Sequence, residues 1–149
     1  MNRPAPAEPL LLENQLCFPL YAASRLVTRL YQPLLEPLGL TYPQYIVLMI
    51  LWSDAPCTVS HIGQRAQLAS NTLTPLIKRL EQQGLVSRAR DHGDERVVNI
   101  DLTDTGRALK TQCACIPLQL LEKIDYPQED AQALKKLLDQ LLQRLDGIV

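Results

Sequence analysis

Between Thr58 and Leu102 the chain places two short helical stretches back to back and follows them with two short strands around a polar turn. Few folds accommodate that order. "TVSHIGQRAQL" (Thr58 to Leu68) reads as a helix capped by Thr58 or Ser60. "ASNTLTPLIKRLEQQG" follows at once and reads as a second helix, opened by Ser70, Asn71 or Thr72 and stopped by Gly84. Pro75 suits it only inside the first turn, where a missing N–H costs nothing. "LVSRAR" (Leu85 to Arg90) and "RVVNIDL" (Arg96 to Leu102) alternate around "DHGDE", the pattern of a hairpin. Helix, helix and hairpin make a winged helix–turn–helix.

Helical patterns lie on both sides of it. From Leu10 to Leu38 apolar residues recur at helical spacing, with Pro33 and Pro37 expected to break the run into two shorter pieces ending at Gly39. In "LTYPQYIVLMILW" Thr41 is the expected N-cap, Pro43 lies in the first turn, and a buried helix runs to about Trp52. "SDAPCT" reads as a turn. "TDTGRAL" restarts a helix that carries "CAC" and reaches Ile124. A last helix from near Pro127 shows Leu134, Leu137, Leu138, Leu141, Leu142, Leu145 and Ile148 as one stripe. The expected class is mainly α with a small β-wing. The lobe 41–103 is flanked by dimerisation helices over 10–40 and 104–149 in a single domain, 10–149, behind a flexible arm, 1–9. So wide a leucine face outside a DNA-reading lobe points to a homodimer, and a two-fold dimer implies a pseudo-palindromic operator.

"MNRPAPAEP" lacks the apolar segment of a secretory signal, and "YIVLMILW" is far short of the ~20 residues that span a bilayer. Cys17, Cys57, Cys113 and Cys115 lie in no disulfide-scaffold pattern. A soluble cytoplasmic protein with reduced thiols and no membrane partner is expected. A metal held by Cys113 and Cys115 with His61 or His92 finds little support, because an i, i+2 pair diverges on a helix and no second pair has ligand spacing. Neither metal nor cofactor is expected. The net charge of -1 does not advertise nucleic-acid binding, yet a local basic patch is compatible with it.

The second helix of such a motif presents its N-terminal side chains to the major groove. Here they are Ser70, Asn71, Thr72 and Thr74, with Lys78 and Arg79 one turn later at phosphate height. The wing carries Arg88, Arg90 and Arg96, and Asp94 is spaced to hold Arg96 by a bidentate pair. The competing readings are ordinary solvated charge and a protein-binding winged helix.

"LENQLCFPLY", "LTYPQY", "TLTPLIKRLEQQGLV" and "DERVVNIDLTDTGRAL" resemble the MarR family of regulators, and more narrowly its organic-hydroperoxide-sensing, OhrR-type branch, over roughly Leu12 to Leu145. The resemblance implies a homodimeric repressor on double-stranded operator DNA, with organic hydroperoxide as inducer. Oxidation of an N-terminal cysteine, here Cys17, releases the DNA. It implies that two tyrosines, matching Tyr31 and Tyr42, hydrogen-bond that thiol from the other subunit. It also carries DNA contacts over to Ser70, Thr72, Thr74, Asp94 and Arg96. Geometry agrees on one point: Tyr31 lies 14 residues after Cys17, ~21 Å along a straight helix, so the two cannot touch within it.

By its residues alone Cys17 reads as packing; with the surrounding motif it reads as a sensor. Only a thiolate attacks a peroxide, so phenol donors and a helix start set by Pro19 would both help the anion. Pro19 departs from the small residue usual in the branch. Two-cysteine members place a resolving thiol at the position of Glu122, which carries none here. Cys115, ahead of Cys113, is the candidate substitute; a one-cysteine mechanism with a small cytosolic thiol is the alternative. Cys57 is read as structural. Two further functions stay open at this point, a repressor gated by a phenolic ligand and a Cys17-dependent thiol peroxidase.

Overall fold

Thr41 and Gln44 open the central helix by a reciprocal capping box. In the computed structural model, which describes residues 8–149, Thr41 Oγ1 accepts from the Gln44 amide and Gln44 Oε1 accepts from the Thr41 amide. All but the last two residues of the expected arm, 1–9, lie outside the described residues. Helix α2 (Tyr42–Asp54) tolerates Pro43 because that position is in its first turn. Apolar on nearly every side, it buries Tyr45, Val47, Leu48, Ile50 and Leu51.

Helix α1 (Cys17–Leu35) precedes it, joined by a single 3-10 turn (Glu36–Leu38) and Gly39 at φ 70. The break expected at Pro33 does not occur. Pro33 forgoes one bond, to the Arg29 carbonyl, in the last exposed turn of α1, and the helix gives way only at Pro37. After α2 come β1 (Cys57–Thr58), α3 (Val59–Ala66), α4 (Ser70–Gln82), β2 (Val86–Arg90) and β3 (Val98–Leu102). The residues expected to form a plain turn before α3 include β1, a strand too short for alternation to reveal, paired with β3. The antiparallel sheet has the order β1–β3–β2.

Thr58 caps α3 by accepting from the His61 amide at 3.1 Å. For α4 the expected caps are wrong: Ala69 holds the cap position with no side-chain bond, so Ser70 is already the first helical residue. Pro75 consequently lies in the second turn and leaves the Asn71 carbonyl outside the ladder, on an exposed face where water can satisfy it.

Asp54, at the end of α2, ties that helix to α3. Its carboxylate meets His61 Nε2 at 2.7 Å and Arg65 Nη1 at 2.8 Å, and accepts from Ser53 Oγ. These bonds, His61 first, hold its carboxyl well below the ordinary carboxylate range. A depressed folded-state pKa contributes stability above the unfolded value, lost as pH falls through the folded one. Asp54→Asn is therefore expected to lower the melting temperature at pH 7, and the gap to wild type should close progressively below about pH 4, as followed by thermal unfolding across pH.

Helix α5 (Asp104–Cys113) begins hard against the sheet. A Cβ on the buried Gly106 would sit 2.1 Å from the Leu85 carbonyl oxygen, while the Gly106 carbonyl accepts from Trp52 Nε1 at 2.9 Å. Gly106→Ala is expected to cost about 3 kcal/mol, seen as a lower urea midpoint at unchanged slope.

The chain forms two compact units, one up to Ala108 and one from Leu109 to Val149. In the second, the expected unbroken helix through "CAC" to Ile124 is instead two. α5 ends at Cys113 and α6 (Ile116–Ile124) starts after Cys115, because Pro117 in its first turn has no N–H to continue the ladder. Helix α7 (Gln128–Asp146) has no buried residue; Leu134, Leu137, Leu142 and Leu145 are exposed. Among the described residues no single helix is long and apolar enough to cross a membrane.

Candidate functional site: a cysteine, three tyrosines and a polar helix end

Cys17 is the first residue of α1 and is exposed. Pro19 falls in the same first turn, as its chemistry requires. The Cys17 backbone is thus at the positive end of the helix dipole. Because α1 runs unbroken to Leu35, the 14 residues to Tyr31 place the two about 21 Å apart. Among the described residues the thiol makes no hydrogen bond to Tyr31 or Tyr42; Cys17 opens α1, Tyr31 lies near the other end of that helix, and Tyr42 opens α2.

The phenols gather tightly. Tyr31 and Tyr42 have ring centroids 4.6 Å apart, and Tyr45, overlooked in the sequence, completes the cluster at 5.8 and 6.3 Å. The "YPQY" spacing of Tyr42 and Tyr45, three apart on a helix, is the signal that would have found it. Burial, then the neighbouring phenols Tyr42 and Tyr45, pushes Tyr31 up to about 12, and burial raises Tyr42 as well. Both remain protonated across the physiological range, so both are available as hydrogen-bond donors. An open cavity of about 390 Å³ adjoins Tyr42, lined also by Thr28, Arg29, Gln32 and Glu36 among others.

Cys113 closes α5, buried, with its thiol pushed up by burial and then by Cys115; Cys115 is exposed at the cap of α6. The two cysteines therefore do not share one straight helix with Glu122. Cys57 is half-buried in β1, its thiol raised by burial first and then by Asp54. No cluster of three or more metal-ligating side chains occurs among the described residues.

On the first unit's other face, Ser70, Thr74, Arg88 and Arg96 line one groove of about 490 Å³ together with Thr58 and Ser60 of the preceding helix start. Ser60 was not anticipated. Asn71 and Thr72 are exposed in the first turn of α4, with Lys78 and Arg79 exposed beyond them. Arg79 turns toward a second cleft, beside Thr41, Pro43 and Gln44. Arg88 is engaged by Glu81 of α4 at 3.4 Å, and Arg90 donates to the Glu95 carbonyl at 3.1 Å. At the wing tip Asp91 accepts from the amides of Gly93 and Asp94. Asp94 accepts from the Arg96 amide at 3.0 Å and from Arg96 Nε at 3.2 Å, which holds its carboxyl low and leaves the guanidinium almost fully exposed.

The family described as transcriptional regulator SarA/Rot matches residues 29–113. The chain is 48% identical over 134 residues to the organic hydroperoxide resistance transcriptional regulator of Bacillus subtilis, covering 90% of this chain and 91% of that one. Among solved structures, reduced AbfR bound to DNA, of the Staphylococcus epidermidis protein, is 40% identical with a TM-score of 0.74 over 90% of this chain and 95% of that one. Disulfide-formed AbfR is also 40% identical, with a TM-score of 0.61 over 88% and 92%.

Proposed function

We propose, from the premise that the chain belongs to the SarA/Rot-type regulators of the MarR family and to their organic-hydroperoxide-sensing branch, that it is a redox-sensing repressor. It binds operator DNA while Cys17 is reduced and releases it when an organic hydroperoxide oxidises Cys17. The observation that carries this reading is the separation of the sensor's parts, with the thiol at the start of α1 and the phenols gathered where the far part of α1 meets the start of α2. A two-fold mate running antiparallel brings each Cys17 to the partner's phenols, and the unburied leucine face of α7 supplies an apolar surface for the same dimer.

The chemistry is balanced by the groups present. The Cys17 thiolate attacks the terminal peroxide oxygen, the O–O bond breaks, and the alkoxide takes a proton to leave as alcohol. The sulfenic acid then condenses with a second thiol and releases water. Cys115, ahead of Cys113, or a small cytosolic thiol is that partner. Tyr31 and Tyr42 hold the reduced anion by donating to it, bonds that a sulfenic or disulfide sulfur no longer accepts equally well.

DNA reading is assigned to 41–103 and dimerisation to 10–40 and 104–149. Ser70, Asn71, Thr72 and Thr74 read base edges, while Lys78, Arg79, Arg90 and Arg96 meet backbone or minor groove, with Asp94 positioning Arg96. Arg88 serves at the groove through its pair with Glu81. The protein acts in the cytoplasm as a one-shot sensor; a peroxidase would need a reductant to recycle Cys17. Fluorescence anisotropy on a fragment of its own promoter tests the function directly. Reduced protein should bind and one equivalent of cumene hydroperoxide should release it; binding that survives the oxidant refutes redox sensing.

A further inference from the structure

A chain of side-chain amides runs from the tyrosine end of α2 to the far end of α4. The Thr41 amide donates to Gln44 Oε1 at 2.9 Å, Gln44 Nε2 donates to Gln83 Oε1 at 3.2 Å, and Gln83 Nε2 donates to the Gly39 carbonyl at 2.7 Å. A backbone N–H at one end and a backbone C=O at the other fix the orientation of both amides. Reversing either would set donor against donor or acceptor against acceptor. Gln44 is 4% exposed, the one polar residue among the buried side chains of the described residues, so a broken link would strand a buried amide.

The places it joins matter. Gly39 and Thr41 bracket the turn between α1 and α2; Tyr42 follows immediately, and Tyr31 lies just before on α1. Gln83 is the C-cap of α4, whose own amide bonds the Arg79 carbonyl. Thirteen residues, about 20 Å, separate this grip from the Ser70 end that reads DNA. We infer that Gln44 and Gln83 are positioning residues which pass movement of the tyrosine cluster to the recognition helix, so that α4 leaves its DNA-reading pose when the Tyr42 end shifts.

This inference rests on the reading of Cys17 as sensor, and its test separates the two. Operator affinity is measured for wild type and Gln83→Ala, each reduced and after one equivalent of cumene hydroperoxide, with Cys17 oxidation followed by intact mass. Gln83 is itself exposed, so its truncation opens no cavity, and the buried Gln44 amide it leaves without an acceptor is stranded in both redox states alike. Wild type should lose at least ~10-fold in affinity on oxidation, and Gln83→Ala no more than ~3-fold although its Cys17 oxidises equally. A purely structural role would weaken both states alike and leave the ratio at the wild-type value, which would overturn the proposal. If wild type itself is not released, the sensor reading fails, and the strap is judged by reciprocity. Operator binding at α4 should slow amide exchange at Thr41 and Gln44 in reduced wild type but not in Gln83→Ala. Exchange unaltered by operator in wild type would overturn the strap.

Discussion

Cys17→Ser should keep its operator when one equivalent of cumene hydroperoxide is added, with affinity altered less than ~2-fold, while wild type falls by a factor on the order of 10–150. Serine retains the size of the side chain and its place in the first turn of α1, so the helix start is undisturbed. What it lacks is a sulfur lone pair able to attack the O–O bond. No other thiol is as well placed by exposure and chemistry together. Cys113 is buried and its thiol raised, Cys57 is half-buried and likewise raised, and the exposed Cys115 has no phenol cluster assigned to it. Anisotropy on the variant reports the outcome at once. Release of Cys17→Ser matching wild type would move sensing to another residue and give the ligand-gated reading its support.

Leu137→Glu is expected to convert the proposed dimer to monomers and to weaken operator binding by on the order of 100-fold or more, since an unpaired charge at a buried interface costs about 3–5 kcal/mol. Leu137 is 63% exposed in the protomer, so the substitution leaves the protomer's own packing intact and its cost falls on association. Light scattering after size exclusion gives the mass, and circular dichroism checks that α7 persists. A dimer of unchanged stability would remove this face of α7 from the interface.

The fold was legible where a local rule acts alone. Thr41 with Gln44, Thr58 three residues before His61, and the alternation about "DHGDE" each encode one boundary, and each is found. The prolines misled in both directions. Pro33 is absorbed by the exposed last turn of α1 and Pro75 by the exposed face of α4, since water there replaces the lost bond; Pro117, after the "CAC" stretch, ends a helix. Ala69 was invisible as a cap because it contributes backbone conformation and no side-chain oxygen. The site was legible as a list of residues and not as an arrangement. Apart from the Tyr42–Tyr45 pair, the tyrosine cluster, the Asp54 tie to α3 and the Gln44–Gln83 strap join positions 7 to 39 residues apart, distances over which no periodicity speaks.

Two wing arginines are already in partnership before any DNA arrives, Arg88 with Glu81 and Arg96 with Asp94. A cation that carries its own carboxylate displaces fewer condensed counterions when it reaches a phosphate. If these arginines meet DNA as proposed, non-specific association, which draws nearly all its strength from that displacement, would be correspondingly weaker. Visits to random genomic sequence would then be brief. The search for an operator is decided by base edges, and the population of free repressor ready to meet a peroxide stays high.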